Sequence, residues 1–395
     1  MRLLTCHYDS YCTQAQITVT GCDPVEGGFR VSVSESIAYP GGGGQPADSA
    51  QIGDALILDY FQDADMPAVL TDRFVNVGPA MMTVDWPRRF DHMQQHTAQH
   101  LITATAVGLF GWETLAFHLN EDRSDIVLDT PIPSKNELTA LENEVNRQIR
   151  AAIDVGIESM ERDELARSGA RFRRLAPGDG ALRMIRIGQV DLNPCGGTHV
   201  RNTSELQMIR FVGAQPDKGK TRLFFLAGQR LIADHRTLQA SSDELTGLLS
   251  EPARHHRDAV ERLQGQVKDM SKKVTQVEER LAEEMVAQIT DDHWVYSIER
   301  TVLRPAFVSA VGRMVADAGV KPVVFVHDAA LGGDMNFVLF GAPEDLDRIM
   351  ASLGTAYTVR GGGRGTRRQG KVVGITEPAS VVSYVSNGGG TTSGD

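Results

Sequence analysis

Two short segments carry side chains whose types and spacing suit a metal ion. One is His96-Thr97-Ala98-Gln99-His100, the other Cys195-Gly196-Gly197-Thr198-His199. Histidines four residues apart on a helix project from one face, about a turn apart. In the second segment the ligand types are again four apart, across glycines that let the backbone fold tightly. Together they offer three imidazoles and one thiolate, a borderline-soft set that suits tetrahedral Zn²⁺. A lone histidine pair at helical spacing usually marks solvated or hydrogen-bonded side chains; two such segments in one chain favour a metal. His92 lies four residues before His96 on the same face and reads as a helix-start histidine outside the shell. The pattern departs from that of helical zinc proteases, which place Glu after the first histidine as general base. Thr97 stands there instead.

The elements that must position these residues can be read from the hydrophobic pattern. Residues 1–90 show short strands (Ala15–Thr20, Phe29–Ser34, Ala55–Leu58) between turn residues, and a small β-barrel is expected. Four consecutive glycines between Pro40 and Pro46 exclude an interior helix or strand there. From Asp91 the pattern turns helical and stops at Gly111; a second helix runs from Ser134 to Ala152, with Glu137 completing a capping box. Strands return at Leu182–Ile187, Leu206–Val212 and Leu223–Ala227, so residues 91–230 read as α+β. Residues 231–290 are helical, with a heptad seam at Leu263, Val267, Met270, Val274, Val277 and Leu281 and a bend near Pro252. That seam suits a coiled coil, a helical hairpin or a helix packed on its own domain. Residues 291–395 read as a separate α/β unit that contains the run Arg360 to Lys371.

The chain has 395 residues, 41% hydrophobic and 23% charged, which is a globular composition of more than one domain. No apolar run reaches the roughly 20 residues of a membrane span. The start, MRLLTCHYDS, has neither an apolar signal core nor a basic presequence. Four scattered cysteines are too few for a disulfide framework, so a reducing cytoplasm is expected. A net charge of −11 excludes a surface coated in basic charge, though not a local basic site.

The two ligand segments, with Tyr39-Pro40-Gly41-Gly42-Gly43-Gly44-Gln45-Pro46 upstream, resemble the AlaX-type alanyl-tRNA editing proteins in their long form and the editing domain of alanyl-tRNA synthetase. The resemblance continues through Leu182–Gly188, Asn193-Pro194, Asn202-Thr203, the run Gly219 to Leu223, and Ala227-Gly228. The helical connector and the C-terminal unit resemble the DHH-associated domain of that family, less closely because Arg364, Thr366, Arg367 and Arg368 interrupt the glycines. Nearly the whole chain is covered. The synthetase's aminoacylation part is expected to be absent, since the chain begins almost at the β-rich segment.

The resemblance implies a free-standing, ATP-independent hydrolase that clears seryl-tRNA(Ala), with glycyl-tRNA(Ala) as a secondary target. A pocket built for alanine cannot strongly reject a residue that merely adds a hydroxyl, so a second site removes the error. Carried over by position, the zinc ligands are His96, His100, Cys195 and His199, and the glycine loop puts Gly43, Gly44 and Gln45 beside the ester. Gln99 stands where the synthetase often has Thr; it is a candidate for sensing the serine hydroxyl, or it packs away from the pocket. Phosphate contacts fall to two basic clusters, Arg171, Arg173 and Arg174, and Arg360, Arg364, Arg367, Arg368 and Lys371. The second cluster is expected to present its guanidiniums on flexible backbone, and the seam or the C-terminal domain to allow a homodimer. The alternatives are a non-catalytic zinc-stabilised tRNA-binding or regulatory protein, and an unrelated zinc hydrolase of small esters.

Overall fold

The computed structural model describes residues 4–61, 66–168, 181–290, 292–328, 333–375 and 377–387. The chain divides into two compact units, one reaching to Asp243 and the other starting at Glu244.

The first unit opens with a single helical turn, α1 (Thr5–Tyr8). The strands β1 (Gln14–Val25), β2 (Gly28–Val33), β3 (Ala50–Ile52), β4 (Ala55–Phe61), β5 (Ala68–Thr71) and β6 (Gly78–Val84) follow. They close an antiparallel barrel in the order β1-β2-β5-β4-β3-β6. Alternation explains it: Ile17, Val19, Val31, Val33, Ile52, Met82 and Val84 point inward and form one core. The expectation of a small barrel is met.

Next come α2 (Trp86–Phe110), β7 (Thr114–Leu119), β8 (Ser124–Leu128), α3 (Lys135–Arg150), β9 (Val155–Met160) and α4 (Arg162–Ser168). The unit continues with β10 (Leu182–Ile187), β11 (Asp191–Pro194), β12 (Ile209–Asp217) and β13 (Lys220–Ala227), and the helix α5 (Gln229–Leu249) runs across the boundary into the second unit. A four-stranded sheet runs β12-β13-β8-β7 and a three-stranded one β11-β10-β9. Helix α2 starts at Trp86, before Asp91, because Asp85 caps it and Pro87 occupies its first turn. The apolar periodicity alone did not register that turn. Gly111 ends the helix at φ 71°. The Ser134–Glu137 capping box forms at the start of α3, as expected. Strand β12 begins at Ile209, later than Leu206, because Thr203–Leu206 is a 3₁₀ turn capped by Asn202.

The barrel is fastened to α2 by an ion pair from which water is excluded. Arg89 and Asp48 are both fully buried, and the guanidinium also donates to Ser10 O and Ile37 O at 2.8 Å each. Asp48 accepts the Tyr39 N–H at 2.7 Å, which fixes the chain entering the glycine turn.

The second unit holds α6 (His256–Ala287), β14 (Val295–Arg300), α7 (Pro305–Asp317), β15 (Val323–Asp328), β16 (Asp334–Phe340), α8 (Pro343–Ala356), β17 (Thr358–Gly362), β18 (Arg367–Val373) and α9 (Pro378–Ser386). Its sheet runs β14-β15-β16-β18-β17, parallel only between β14 and β15. The bend between α5 and α6 contains Pro252. On α6, Ala282 and Val286 join a core with α7, while Leu263, Val267, Met270 and Val277 remain exposed. The Gly/Arg run departs from the expectation of flexible backbone: it forms the β17–β18 hairpin. Gly361 pairs with Gly370 so closely that a Cβ on Gly361 would overlap Gln369 O and Gly370 Cα. No described helix is long and apolar enough to cross a membrane.

Candidate metal centre

Helix α2 delivers His96 and His100 from one face, within a stretch buried from His92 to Ile102. Cys195 and His199 arrive on the turn after β11. The ligating atoms of all four lie within 4.8 Å of one another. Cys195 Sγ is 3.5 Å from His96 Nε2 and 3.3 Å from His199 Nε2, and it accepts the Gly197 N–H at 3.4 Å. Glycine is required at 197, since a Cβ there would overlap Cε1 of His96. The structure thus brings together the four residues singled out in the sequence; His92 is outside the cluster.

Each imidazole is held through its other nitrogen. Gln45 Oε1 accepts the backbone N–H of Thr198 at 3.1 Å, so it is the amide oxygen that also meets His96 Nδ1 at 2.8 Å. His96 therefore donates its Nδ1 proton to that oxygen, and its Nε2 faces the cluster. His100 Nδ1 meets Asp191 Oδ2 at 2.8 Å, and His199 Nδ1 meets Thr97 Oγ1 at 3.1 Å. Outer partners of this kind orient metal-binding histidines. The His96 ring also stacks on Phe117, with centroids 5.3 Å apart.

The electrostatics favour a cationic guest. Burial raises the Cys195 thiol, but His96, His199 and His100 outweigh it and hold the group well below the usual thiol range. Burial lowers His100, and hydrogen bonds to Asp191 and Cys195 overcome it, raising it to about 10. Burial takes His199 down to about 3. A thiolate stabilised by neighbouring positive charge, with three oriented histidines, is a donor set that fits Zn²⁺, His100 giving up its proton as the ion binds.

The glycine turn stands next to this cluster through Gln45. Gly42 and Gln45 exchange backbone hydrogen bonds at 3.0 Å, leaving Gly43 and Gly44 as the two central residues. Their φ values of 59° and 89° are those of a primed turn, which side chains resist. A Cβ on Gly44 would also lie 2.8 Å from Phe117 O. Gly43 and Gly44 are exposed, and no described backbone acceptor takes their N–H groups. Gln45 is buried and holds His96 and Thr198, so it fixes the orientation of the His96 ring.

Gln99 is buried and donates to Thr103 Oγ1 at 2.8 Å. Arg171, Arg173 and Arg174 lie outside the described residues. Arg360, Arg364 and Arg367 are exposed in the second unit. Arg368 is buried against Asp347, and Lys371 donates to Asp334 at 2.6 Å, so these two cations are already engaged. Sequence reasoning missed Thr97 as a support, and also Asp191, Phe117 and Arg183, which binds Cys195 O. Only Thr97, beside a ligand, carried any signal.

The sequence family described as the threonyl and alanyl tRNA synthetase second additional domain matches residues 182–224, which include the Cys195–His199 turn. The alanyl-tRNA editing protein Aarsd1-A of Xenopus laevis is 31% identical over 395 residues, 95% of each chain. The Danio rerio protein named alanyl-tRNA editing protein Aarsd1 is 38% identical over 283 residues, 68% of each chain. The alanine–tRNA ligase of Hyperthermus butylicus is 27% identical over 274 residues, 66% of this chain and 30% of the ligase. Among solved structures, the C-Ala domain of Aquifex aeolicus alanyl-tRNA synthetase matches 26% of this chain and 95% of that one, at 20% identity and a TM-score of 0.21. A TM-score that low carries no weight for the fold. Identity near one third along almost the entire length does carry weight, and by it this chain belongs to the alanyl-tRNA editing protein family.

Proposed function

We propose that the protein edits mischarged tRNA(Ala) in trans, hydrolysing the ester of seryl-tRNA(Ala) and, less readily, glycyl-tRNA(Ala), without aminoacylation. The observation that carries this reading is the convergence of His96, His100, Cys195 and His199 beside an exposed glycine turn, in a chain whose relatives are named for alanyl-tRNA editing. A Zn²⁺ ion held by those four residues would supply Lewis acidity at the floor of the site. The N–H groups of Gly43 and Gly44 donate to the ester oxygen as negative charge develops on it. Gln45, Asp191 and Thr97 keep the imidazoles from rotating. Gln99, its amide nitrogen spent on Thr103, offers Oε1 to the serine hydroxyl, a bond that alanine lacks. Water adds to the acyl carbon, the bond to the ribose oxygen breaks, and free amino acid and tRNA leave. Exposed Arg360, Arg364 and Arg367 meet RNA phosphates, a second copy covers the α6 seam, and the cytoplasm is the working compartment.

The test is deacylation by zinc-loaded protein of seryl-, glycyl- and alanyl-tRNA(Ala), with and without a chelator. Rapid, chelator-sensitive loss of the seryl ester with the alanyl ester spared is the expected result. The closeness of four protein ligands to one another also suits a closed structural zinc site. Intact seryl-tRNA after prolonged incubation would favour that non-catalytic reading.

A further inference from the structure

The first helical turn, α1, is four residues long, too short to hold its shape by its own hydrogen bonds. Yet His7 within it is only 2% exposed. Contacts from outside the turn hold it. Thr5 N–H donates to Ser36 O at 3.2 Å, and Cys6 Sγ donates to Ala38 O at 3.7 Å. Two further ties lead to the Cys195 turn. Arg183, on β10, donates from Nε to His7 O at 2.8 Å and from Nη1 to Cys195 O. Arg183 O also accepts the Cys195 N–H at 3.2 Å, so one residue holds both the amide and the carbonyl of Cys195. The His7 ring makes the second tie. Its Nδ1 accepts the Leu4 N–H at 2.8 Å, so the neutral ring carries its proton on Nε2, and it hydrogen-bonds to the Gly196 backbone. Burial, then the Arg183 charge, lowers His7 to about 4 and keeps it neutral. The same ring meets Tyr39 edge to face, with centroids 6.0 Å apart. Tyr39 Oη in turn donates to Gly42 O, in the glycine turn, at 2.9 Å.

Glycines at 196 and 197 would leave the peptides of the Cys195 turn free to rotate. The amides of Gly197 and Thr198 are taken by Cys195 Sγ at 3.4 Å and Gln45 Oε1 at 3.1 Å. Arg183 and His7 take the carbonyls of Cys195 and Gly196. The peptide between Gly196 and Gly197 is thus held at both ends, by His7 and by the sulfur it supports. Charge points the same way. Arg183 has no carboxylate partner among the described residues. Burial lowers it, and Cys195 leads the groups that oppose that effect, so the guanidinium answers the charge of the thiolate.

We propose that α1 belongs to the metal centre: Arg183 and His7 are positioning residues that set the Cys195 turn, and the contact of His7 with Tyr39 holds the glycine turn in register with it. Neither residue needs to touch the ion or the substrate to do this. The consequence for ester hydrolysis rests on the editing reading above; the consequence for metal binding does not.

Titration of the full metal-free chain with Co²⁺ tests the proposal, because the absorption of a cobalt–thiolate pair reports on the placement of Cys195 Sγ. Arg183→Met should weaken Co²⁺ binding about 10- to 100-fold, as loss of an outer partner does. Arg183→Lys should recover only part, since an ammonium lacks the fork that spans two carbonyls. His7→Ala should cost about tenfold, and His7→Gln, which keeps a donor and an acceptor, should restore most of it. Melting separates positioning from packing: wild type and His7→Ala should differ more in melting temperature when loaded with metal than when free of it. In deacylation of seryl-tRNA(Ala), His7→Ala should lower kcat and leave KM in place. If the cobalt losses appear while wild type leaves seryl-tRNA(Ala) intact, the editing reading fails and the positioning role stands. If Arg183→Met and His7→Ala both bind Co²⁺ with wild-type affinity and absorption, or if the melting difference is the same with and without metal, the positioning role is overturned, whatever the deacylase activity.

Discussion

Three histidines meet at one thiol, and each is held at Nδ1 by a different kind of acceptor: an amide, a carboxylate and a hydroxyl. The carboxylate is the strongest of these, because it assists its hydrogen bond with charge. Asp191→Ala should therefore weaken zinc binding about 10- to 100-fold, measured by competition with a chromophoric chelator. Asp191→Asn keeps an oxygen for the His100 N–H and should recover part of the loss. Wild-type affinity in the alanine variant would mean that His100 is not held in this way. Gly197 makes a steric prediction at the same scale. Its added methyl would overlap a His96 ring pinned by Gln45 and Phe117, so Gly197→Ala must displace either the ligand or the turn. We expect less than one zinc per chain by elemental analysis and a stability cost of about 1–3 kcal/mol. A fully loaded, equally stable variant would contradict the packing.

Elements differ in how visible they were in the sequence. Helices α2 and α3 were legible because a 3.6-residue period and capping residues are local signals, and the ligand spacing could be read for the same reason. The Cys195 turn announced itself through glycine. Gln45 and Asp191 did not show their roles, because they reach His96 and His100 across 51 and 91 residues, and only the tertiary fold makes those pairs neighbours. Strands β17 and β18 were hidden because glycine is depleted in strands; here it permits the close pairing at Gly361 and Gly370. The joint between barrel and helix was equally invisible, resting on Arg89 and Asp48, 41 residues apart and fully buried. Arg89→Met would leave Asp48 charged and unpaired in the interior. It should cost about 3–5 kcal/mol in chemical denaturation, and Asp48→Asn in the same chain should return part of that. A loss below about 1 kcal/mol would show that the pair does not fasten the two elements.

At the scale of the whole molecule, each compact unit has its own hydrophobic core, so each is expected to unfold in its own transition. That separation lets two proposals be read from one calorimetric trace. The four residues proposed to hold the metal all belong to the first unit. A ligand bound only to the folded state raises its stability by mass action, so chelation should lower the melting temperature of one transition and leave the other in place. The α6 seam belongs to the second unit, and Val267 and Met270 are each 64% exposed in the single chain. If a second copy covers the seam, the transition that chelation spares should rise with protein concentration. Val267→Lys with Met270→Lys should abolish that dependence and halve the mass seen by light scattering. Repulsion between chains of net charge −11 opposes such a pairing, so added salt should strengthen it, whereas salt weakens any contact between exposed arginines and RNA. A monomeric mass at all concentrations would remove the dimer, and a chelator that moved both transitions together would show the two cores to be one cooperative unit.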